Sequence, residues 1–475
     1  MKWTLGPAAL AAVLLTSEAW ALPVAPGAFC DAYPEAPTCL AGLPACTYCH
    51  AGTPPTRNRF GEALEAKILP AMTRPLDVND FLGALPTALE EVEDDDSDGD
   101  GYSNLDEILS GTHPGDDLSR PDEIECAGKT GINDQFDVCN WDARYAFKKV
   151  SLDFCGRSPT WEEMQAFDAE ADPRAAVHAK LTACLDSPFW IGQDGQLWEL
   201  AHKKIRPIQA IKAGEDGGII PLADYYDDYR LFVYAQTDDH DARDVLTADF
   251  FAVARTDGNG NTTHYARATG TDRTGRQDVV TERRAGMMTT RWNLVLNVMF
   301  TALPRTAAAQ AYRSFLGMDI AKLQGLDPVE GEPIDYDDKG VQADACSVCH
   351  STLDPASYPF KNYQGLTGSV GTYDPNRIED DFRNEGANIT DMPEQGYVLG
   401  QPVSNLTEWA NVAANSDAFA AASVLEYWRL LLGHDPLASE QEEFNALWNT
   451  LKGRHSYQIE KMLHDLIDTE AYGVP

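Results

Sequence analysis

The stretch 345-ACSVCHSTLDPASYPFKNY-363 contains two cysteines that are separated by two residues, with a histidine directly after the second. The same Cys-x-x-Cys-His pattern occurs as 46-CTYCH-50, 300 residues earlier. Side chains at this spacing lie within about one turn of a helix, so the three residues can hold one group together. The pattern therefore predicts a binding site in each of two distant parts of the chain.

A c-type haem needs two thiols that bond to its vinyl groups and an imidazole that binds its iron, and this motif provides all three. We predict two covalently bound haems c. The attachment residues are Cys46, Cys49 and the iron ligand His50 for the first haem, and Cys346, Cys349 and the iron ligand His350 for the second. Two alternatives remain open: short-loop disulfides or redox dithiols, and a zinc site made by the four cysteines.

The second axial ligand of a haem iron distinguishes two functions. An iron with both axial positions filled suits electron transfer, whereas an iron with one open position suits catalysis. Met392, in 389-ITDMPE-394, follows His350 by 42 residues, and we predict it as the ligand of the second iron. Met72 and His113 are candidates for the first iron, and neither is favoured. An open first haem is the alternative.

The acidic stretch 94-DDDSDGDGYSNLDEILSGTHPGDD-117 matches a twelve-residue calcium loop. Gly101 at position six allows the sharp turn of such loops. The predicted Ca²⁺ ligands are Asp96, Asp98, Asp100, the main-chain carbonyl of Tyr102, Asn104 and Glu107. The alternative is a solvated acidic linker. By contrast, 257-DGNGN-261 lacks the final glutamate and is predicted to be a hairpin turn.

Residues 1–21 have the pattern of a signal peptide, with Lys2 before an apolar run and the small-x-small cleavage pattern 19-AWA-21 after it, so we predict a periplasmic or extracellular protein. No later segment is long and apolar enough to predict a membrane span. Six cysteines lie outside the two motifs, and their order favours the pairs 30–39, 126–139 and 155–184 among the possible connectivities.

The chain carries a net charge of −38, from 75 acidic and 37 basic side chains. Such a surface repels nucleic acid and anionic lipid. Solubility explains the charge most simply, and attraction of a basic redox partner protein is the alternative. The oligomeric state does not follow from these features.

We predict a mainly α, multidomain fold, in which cytochrome c-like helical haem modules flank a mixed, loop-rich middle region. The predicted segments are the signal peptide 1–21, a haem module 22–93, a calcium-binding loop 94–120, a helical domain with a mixed insertion 121–325, and a C-terminal haem domain with a helical tail 326–475. Capping boxes are predicted at Thr160-x-x-Glu163 and Ser439-x-x-Glu442. The alternation in 229-YRLFVYAQ-236 predicts a short strand.

The stretches 144-RYAFKKVSLDFCGRSPTWEEMQAF-167, 181-LTACLDSPFW-190 and 284-RAGMMTT-290 resemble planctomycete-type cytochrome-associated domains, which are secreted multidomain proteins of unknown function. The second motif followed by Asp354 and Pro355 resembles the same group. The chain departs from that pattern at Ser357, Tyr358 and Lys361, where the group has Gly, Phe and an acidic residue. The resemblance covers about residues 140–435 and implies a secreted c-type cytochrome without indicating a substrate.

The N-terminal part is similar to small secreted cytochromes, through Cys-x-x-Cys-His followed by 58-NRFG-61. The calcium loop with 111-GTHP-114 resembles thrombospondin type 3 and dockerin-like repeats, in which the ion braces the structure. These features together predict an exported dihaem c-type cytochrome that transfers single electrons. The alternatives are a dihaem peroxidase-like oxidoreductase and an extracellular binding scaffold with accessory haems.

Overall fold

The computed structural model describes residues 24–40, 43–51, 56–69, 78–117, 119, 121, 139–211, 222–270, 272, 279–437 and 439–475. These residues form a mainly α-helical structure, as the sequence predicts. The chain divides into two compact units, which are Met1–Glu125 with Leu437–Ser439, and Cys126–Pro436 with Glu440–Pro475. The predicted signal peptide lies outside the described residues.

The first unit contains both the first Cys-x-x-Cys-His motif and the acidic loop. Its helices are α1 (Ala25–Ala32), α2 (Pro37–Leu40), α3 (Arg59–Ile68), α4 (Val78–Val92) and α5 (Asn104–Ser110). Apolar side chains of α3 and α4, such as Phe60 and Leu89, share a core with Tyr48 of the motif. The motif is therefore part of the hydrophobic packing of this unit.

The second unit is larger and contains the second motif. Its helices are α6 (Ala143–Cys155), α7 (Trp161–Asp168), α8 (Pro173–Leu185), α9 (Pro188–Ile191), α10 (Gln196–Ile205), α11 (Tyr226–Gln236), α12 (Asp244–Thr247), α13 (Arg291–Asn293), α14 (Arg305–Phe315), α15 (Asp344–Ser357), α16 (Leu406–Ala414), α17 (Asp417–Leu432), α18 (Gln441–Lys452), α19 (Ile459–Leu466) and α20 (Glu470–Gly473). One continuous core includes residues from α6 to α20. The predicted segments 121–325 and 326–475 thus share this core.

Two antiparallel hairpins complete the second unit. They pair β1 (Ala252–Thr256) with β2 (Thr262–Arg267), and β3 (Gly396–Val398) with β4 (Gln401–Val403). The turn predicted at 257–261 connects β1 to β2. The carboxylate of Asp257 accepts hydrogen bonds from the main-chain N–H groups of Asn259 (2.8 Å) and Asn261 (2.9 Å). The prediction of a hairpin turn is confirmed.

The predicted strand at 229–236 is wrong, because these residues belong to α11. Nearly every side chain of α11 is buried, and Tyr229 stacks on Trp198 of α10 with ring centroids 4.3 Å apart. A helix that is buried on all sides has no polar face, so its apolar residues do not recur at the helical spacing of three to four. Its sequence therefore cannot be distinguished from the alternating pattern of a strand.

The predicted disulfides Cys30–Cys39 and Cys155–Cys184 are present, with Cα–Cα distances of 5.4 and 4.9 Å. Cys139 is also disulfide-bonded, while its predicted partner Cys126 lies outside the described residues. Among the helices of the described residues, none is long and apolar enough to cross a bilayer.

The capping box predicted at Thr160 is confirmed. The Thr160 hydroxyl accepts from the main-chain N–H of Glu163 (3.2 Å), and the Glu163 carboxylate accepts from that of Thr160 (2.7 Å). The capping box predicted at Ser439 is wrong. Helix α18 begins at Gln441, so its N-cap residue is Glu440, and no side chain caps the helix.

Thr160→Ala should lower the free energy of unfolding by about 1 kcal/mol, because the first turn of α7 loses a hydrogen-bond acceptor. Denaturant titration of the exported protein measures this change. Gln165→Ala, at an exposed position in the interior of the same helix, is the control and should have little effect. Equal stability of the two variants would contradict the role of the box.

Candidate functional site

The first motif forms a tight turn, in which Cys46–Tyr48 is a 3₁₀ helix. Neither Cys46, which is exposed, nor Cys49, which is partly buried, belongs to a disulfide. Burial raises the pKa of the Cys49 thiol to about 12, so this sulfur is protonated at neutral pH. Neither sulfur of the motif is committed to a disulfide, in contrast to the sulfurs of Cys30 and Cys39 in the same unit.

His50 is oriented by the main chain that follows it. Its Nδ1 lies 3.1 Å from the carbonyl oxygen of Thr56, and a carbonyl can only accept, so Nδ1 donates the proton. In this tautomer the lone pair is on Nε2, which is the arrangement of a histidine that binds a metal.

Helix α3 holds the motif turn through Asn58 and Gly61. The Asn58 side chain accepts from the N–H of Gly61 (2.8 Å) and donates to the carbonyls of Thr47 (3.1 Å) and Tyr48 (3.1 Å). A Cβ on Gly61 would lie 2.0 Å from the carbonyl oxygen of Cys49. The 58-NRFG-61 pattern thus has a physical reason: Asn58 caps the helix and ties it to the turn, and glycine permits their close approach.

His113, a candidate second ligand for the first iron, also contacts this turn. Its Nε2 donates to the carbonyl of Thr47 (2.9 Å), and its Nδ1 accepts from the N–H of Gly115 (3.4 Å). Its ring packs against Tyr48, with centroids 4.9 Å apart. Both ring nitrogens of His113 are engaged, so the structure gives it a bracing role. Met72, the other candidate, lies outside the described residues.

The acidic loop is folded around its own carboxylates. Ligand atoms of Asp96, Asp98 and Asp100 lie within 4.8 Å of one another. The Asp96 carboxylate accepts from the N–H groups of Gly99 (2.7 Å), Asp100 (3.2 Å) and Gly101 (3.0 Å). Partial desolvation would raise the pKa of Asp96, but these hydrogen bonds together lower it below its ordinary value. Gly101 has φ 104°, a conformation that favours glycine.

Glu107 closes the loop from helix α5. It is completely buried, and neither of its carboxylate oxygens has a hydrogen-bond partner, which is also true of Oδ2 of Asp98. Burial, followed by the charges of Asp98, Asp100 and Asp96, raises the pKa of Glu107 to about 8. Buried carboxylates without donors are costly unless a cation compensates them. The loop therefore fits the Ca²⁺ site that its sequence predicts.

The other two predicted calcium ligands, Asn104 and Tyr102, form hydrogen bonds within the acidic loop and with the end of α4 before it. The side chain of Asn104 accepts from the N–H of Ser97 (3.3 Å) and donates to the carbonyl of Val92 (2.6 Å). Tyr102 donates its N–H to the Asp100 carboxylate (2.9 Å), and its carbonyl is the group that the sequence predicts as a ligand.

The second motif lies on α15, where Cys346, Cys349 and His350 share one face because they are separated by three and four residues. Neither cysteine belongs to a disulfide, and the Cys349 thiol contacts the carbonyl oxygen of Ile320 (3.5 Å). Val348, between the cysteines, is 49% exposed, and Leu323 is 61% exposed.

A buried ionic network orients His350. Its Nδ1 lies 2.8 Å from Oδ1 of Asp354, one helical turn along α15, and Asp354 is completely buried. Arg305 of α14 donates to both oxygens of Asp354 (2.7 and 2.9 Å) and to both oxygens of Asp337 (2.6 and 2.9 Å). Burial alone would lower the pKa of Arg305, but these hydrogen bonds raise it above its ordinary value.

The sequence interpretation missed the roles of three of these residues. Asp354 could have been found, since its spacing of four from His350 places both on one helix face. Arg305 and Asp337 lie far from the motif in sequence, and no local pattern indicates them.

Met392 is 1% exposed and packs in an apolar cluster with Leu303, Tyr358, Ile389 and others, a cluster that includes no residue of the Cys-x-x-Cys-His motif. Its carbonyl accepts a hydrogen bond from the Lys361 ammonium group. The structure thus gives Met392 a core position, and its ligation of iron stays a prediction.

Ser357, Tyr358 and Lys361, which follow the second motif, each have a hydrogen-bond partner. The Ser357 hydroxyl donates to the carbonyl of Leu353 (2.6 Å), the Tyr358 hydroxyl donates to Glu332 (2.6 Å), and Lys361 binds the carbonyl of Met392.

No known protein family, curated protein or solved structure matches this chain.

Gly61→Ala should lower the free energy of unfolding of the first unit by about 1–3 kcal/mol, because the new methyl group must displace the Cys49 carbonyl. Gly83→Ala on α4 is a matched control, since a Cβ there meets nothing within 4 Å. Helix propensity predicts that the control is stabilised by up to about 1 kcal/mol. Thermal unfolding of both variants measures the difference, and a stable Gly61→Ala protein would contradict the close approach of α3 to the motif.

Proposed function

We propose that this protein is an exported dihaem c-type cytochrome that transfers single electrons and has a structural Ca²⁺ site. The observation that supports the proposal is common to both motifs. In each, two thiols stand outside any disulfide beside a histidine whose Nδ1 is bound to a protein acceptor. This combination prepares two sulfurs for thioether bonds and one Nε2 for an iron.

The residues of each motif have separate tasks. Cys46 and Cys49, and Cys346 and Cys349, would hold the two porphyrins, while His50 and His350 would bind the irons. A bound haem would supply a one-electron couple at its iron. The carbonyl of Thr56 and the carboxylate of Asp354 keep the two imidazoles in the tautomer that coordination requires.

Export is supported by the disulfides, because such bonds form and persist in oxidising compartments. The predicted signal peptide agrees with this location in the periplasm or outside the cell. The net charge of −38 favours a basic protein as the redox partner, since opposite charges accelerate encounter. The family resemblance implies the same class of secreted cytochrome.

The Ca²⁺ ion would be bound by Asp96, Asp98, Asp100 and Glu107. Its charge would compensate the buried carboxylates, and it would thereby stabilise the segment that carries α5 and His113. This is a bracing role, as the resemblance to thrombospondin type 3 repeats implies.

A second candidate function is a peroxidase-like haem oxidoreductase. The observation that favours it is the core position of Met392, because an iron without this ligand would have an open sixth position. Met392→Leu separates the two functions, since leucine keeps the apolar volume but cannot bind iron. A ligand role predicts that one haem becomes high-spin, whereas a core role predicts an unchanged spectrum.

Replacement of the cysteines of one motif should remove one haem. In a host that matures c-type cytochromes, Cys46→Ala with Cys49→Ala should leave one covalent haem per chain, and Cys346→Ala with Cys349→Ala should leave the other. A pyridine haemochrome assay counts them. Equal haem content in both variants and the native protein would contradict the assignment of the motifs.

Removal of calcium should lower the melting temperature of the first unit. Ligand binding to the native state stabilises it by about 2.7 kcal/mol when free Ca²⁺ is 100 times the dissociation constant. Glu107→Gln should abolish the difference between Ca²⁺ and chelator, because it removes the buried carboxylate. Glu90→Gln, an exposed change on α4, is the control. If a chelator left the melting temperature of the native protein unchanged, the calcium site would be contradicted.

A further inference from the structure

The two motif histidines differ in the group that accepts their Nδ1 proton. His50 donates to the neutral carbonyl of Thr56 at 3.1 Å. His350 instead donates to the carboxylate of Asp354 at 2.8 Å, and this carboxylate is completely buried. The difference lies in the chain itself and is independent of any bound group.

The carboxylate of Asp354 is held rigidly. Arg305 binds both of its oxygens and both oxygens of Asp337, so one guanidinium connects two carboxylates. Asp337 is 5% exposed, and the Arg305 side chain is 17% exposed. The network of Asp354, Arg305 and Asp337 carries two negative charges and one positive charge. It thus places a net negative charge in a poorly solvated region behind His350.

Two physical effects of this network have the same sign. A carboxylate that accepts the Nδ1 proton increases the electron donation of the imidazole through Nε2 to a metal. A buried negative charge also stabilises the more positive, oxidised state of a nearby iron, because screening there is weak. The neutral carbonyl of Thr56 increases the electron donation of His50 only weakly, and it adds no negative charge near the iron.

We propose that Asp354 is a positioning residue that makes the haem at Cys346–His350 the lower-potential centre of the two. This inference rests on the proposed function, and it adds an order of reduction potentials. The centre at His50 would be reduced first, and the centre at His350 would be the stronger electron donor. The chain would then use two chemically similar motifs for two different steps of electron transfer.

Potentiometric titration of the full-length protein, followed by its optical spectrum, tests this order. The native protein should show two one-electron midpoints. The variant Cys46→Ala with Cys49→Ala, which keeps only the second attachment site, should show the lower of them. Retention of the higher midpoint in that variant would overturn the inference.

Asp354→Asn should raise the lower midpoint by about 59 mV or more, which is a tenfold change in the ratio of reduced to oxidised haem, and should leave the higher midpoint unchanged. Asp354→Glu keeps the charge and should shift the midpoint less than Asp354→Asn. Asp337→Asn is the matched control, because it removes one charge from the same network without removing the acceptor of His350. Its shift should be clearly smaller.

Equal shifts in Asp337→Asn and Asp354→Asn would overturn the positioning role, since loss of charge alone would then explain both. An unchanged lower midpoint in Asp354→Asn would overturn it as well. A native protein that carries no haem at Cys346 and Cys349 would overturn the proposed function together with this inference, whereas two haems with the wrong order of midpoints would overturn the inference alone.

Discussion

A hydrogen bond from Nδ1 of the motif histidine to a protein acceptor is the constraint on which the remaining features of each site depend. A histidine can present Nε2 to a metal only if its other nitrogen carries the proton and its ring is held in place. In the second unit the acceptor of His350 is held by α14, through Arg305, and Arg305 also binds the loop that carries Asp337. Arg305 compensates the charge of the buried Asp354, which would be strongly destabilising if it were unpaired.

The first unit meets the same requirement with neutral groups. His50 uses a main-chain carbonyl, and the motif turn is held by Asn58 and by the close approach of α3 at Gly61. The acidic loop contributes to this arrangement. Arg59 of α3 donates to the carbonyl of Asp98, and His113, after α5, donates to the carbonyl of Thr47. A cation that orders the loop would therefore also order the segments that surround the first motif.

Most local patterns in the sequence predicted local structure correctly, although the capping box predicted at Ser439 is wrong. The capping box at Thr160 and the hairpin turn at 257–261 depend on a few neighbouring residues, and both are confirmed. The disulfides Cys30–Cys39 and Cys155–Cys184 follow from short separations along the chain. Where tertiary packing decides, the predictions failed. Burial of α11 on all sides removed the periodicity that distinguishes a helix from a strand.

At the second motif, too, local geometry was predictable from the sequence and tertiary partners were not. The spacing of cysteines and histidine predicted which residues face together on α15, because a helix fixes that geometry. The partners Arg305 and Asp337 come from other elements, and only the fold brings them to His350. The separation of Met392 from His350 along the chain suits an iron ligand, but sequence separation alone does not show where the Met392 side chain packs in the fold. Its place in the apolar cluster with Leu303 and Tyr358 could be seen only in three dimensions.

We propose that both Cys-x-x-Cys-His motifs hold covalent haem. The most direct test is intact-mass spectrometry of the denatured protein, after export from a host that matures c-type cytochromes. We expect one species that carries two haem groups, with the modified peptides containing Cys46 to His50 and Cys346 to His350. A chain that leaves the same host with four unmodified motif cysteines would contradict it.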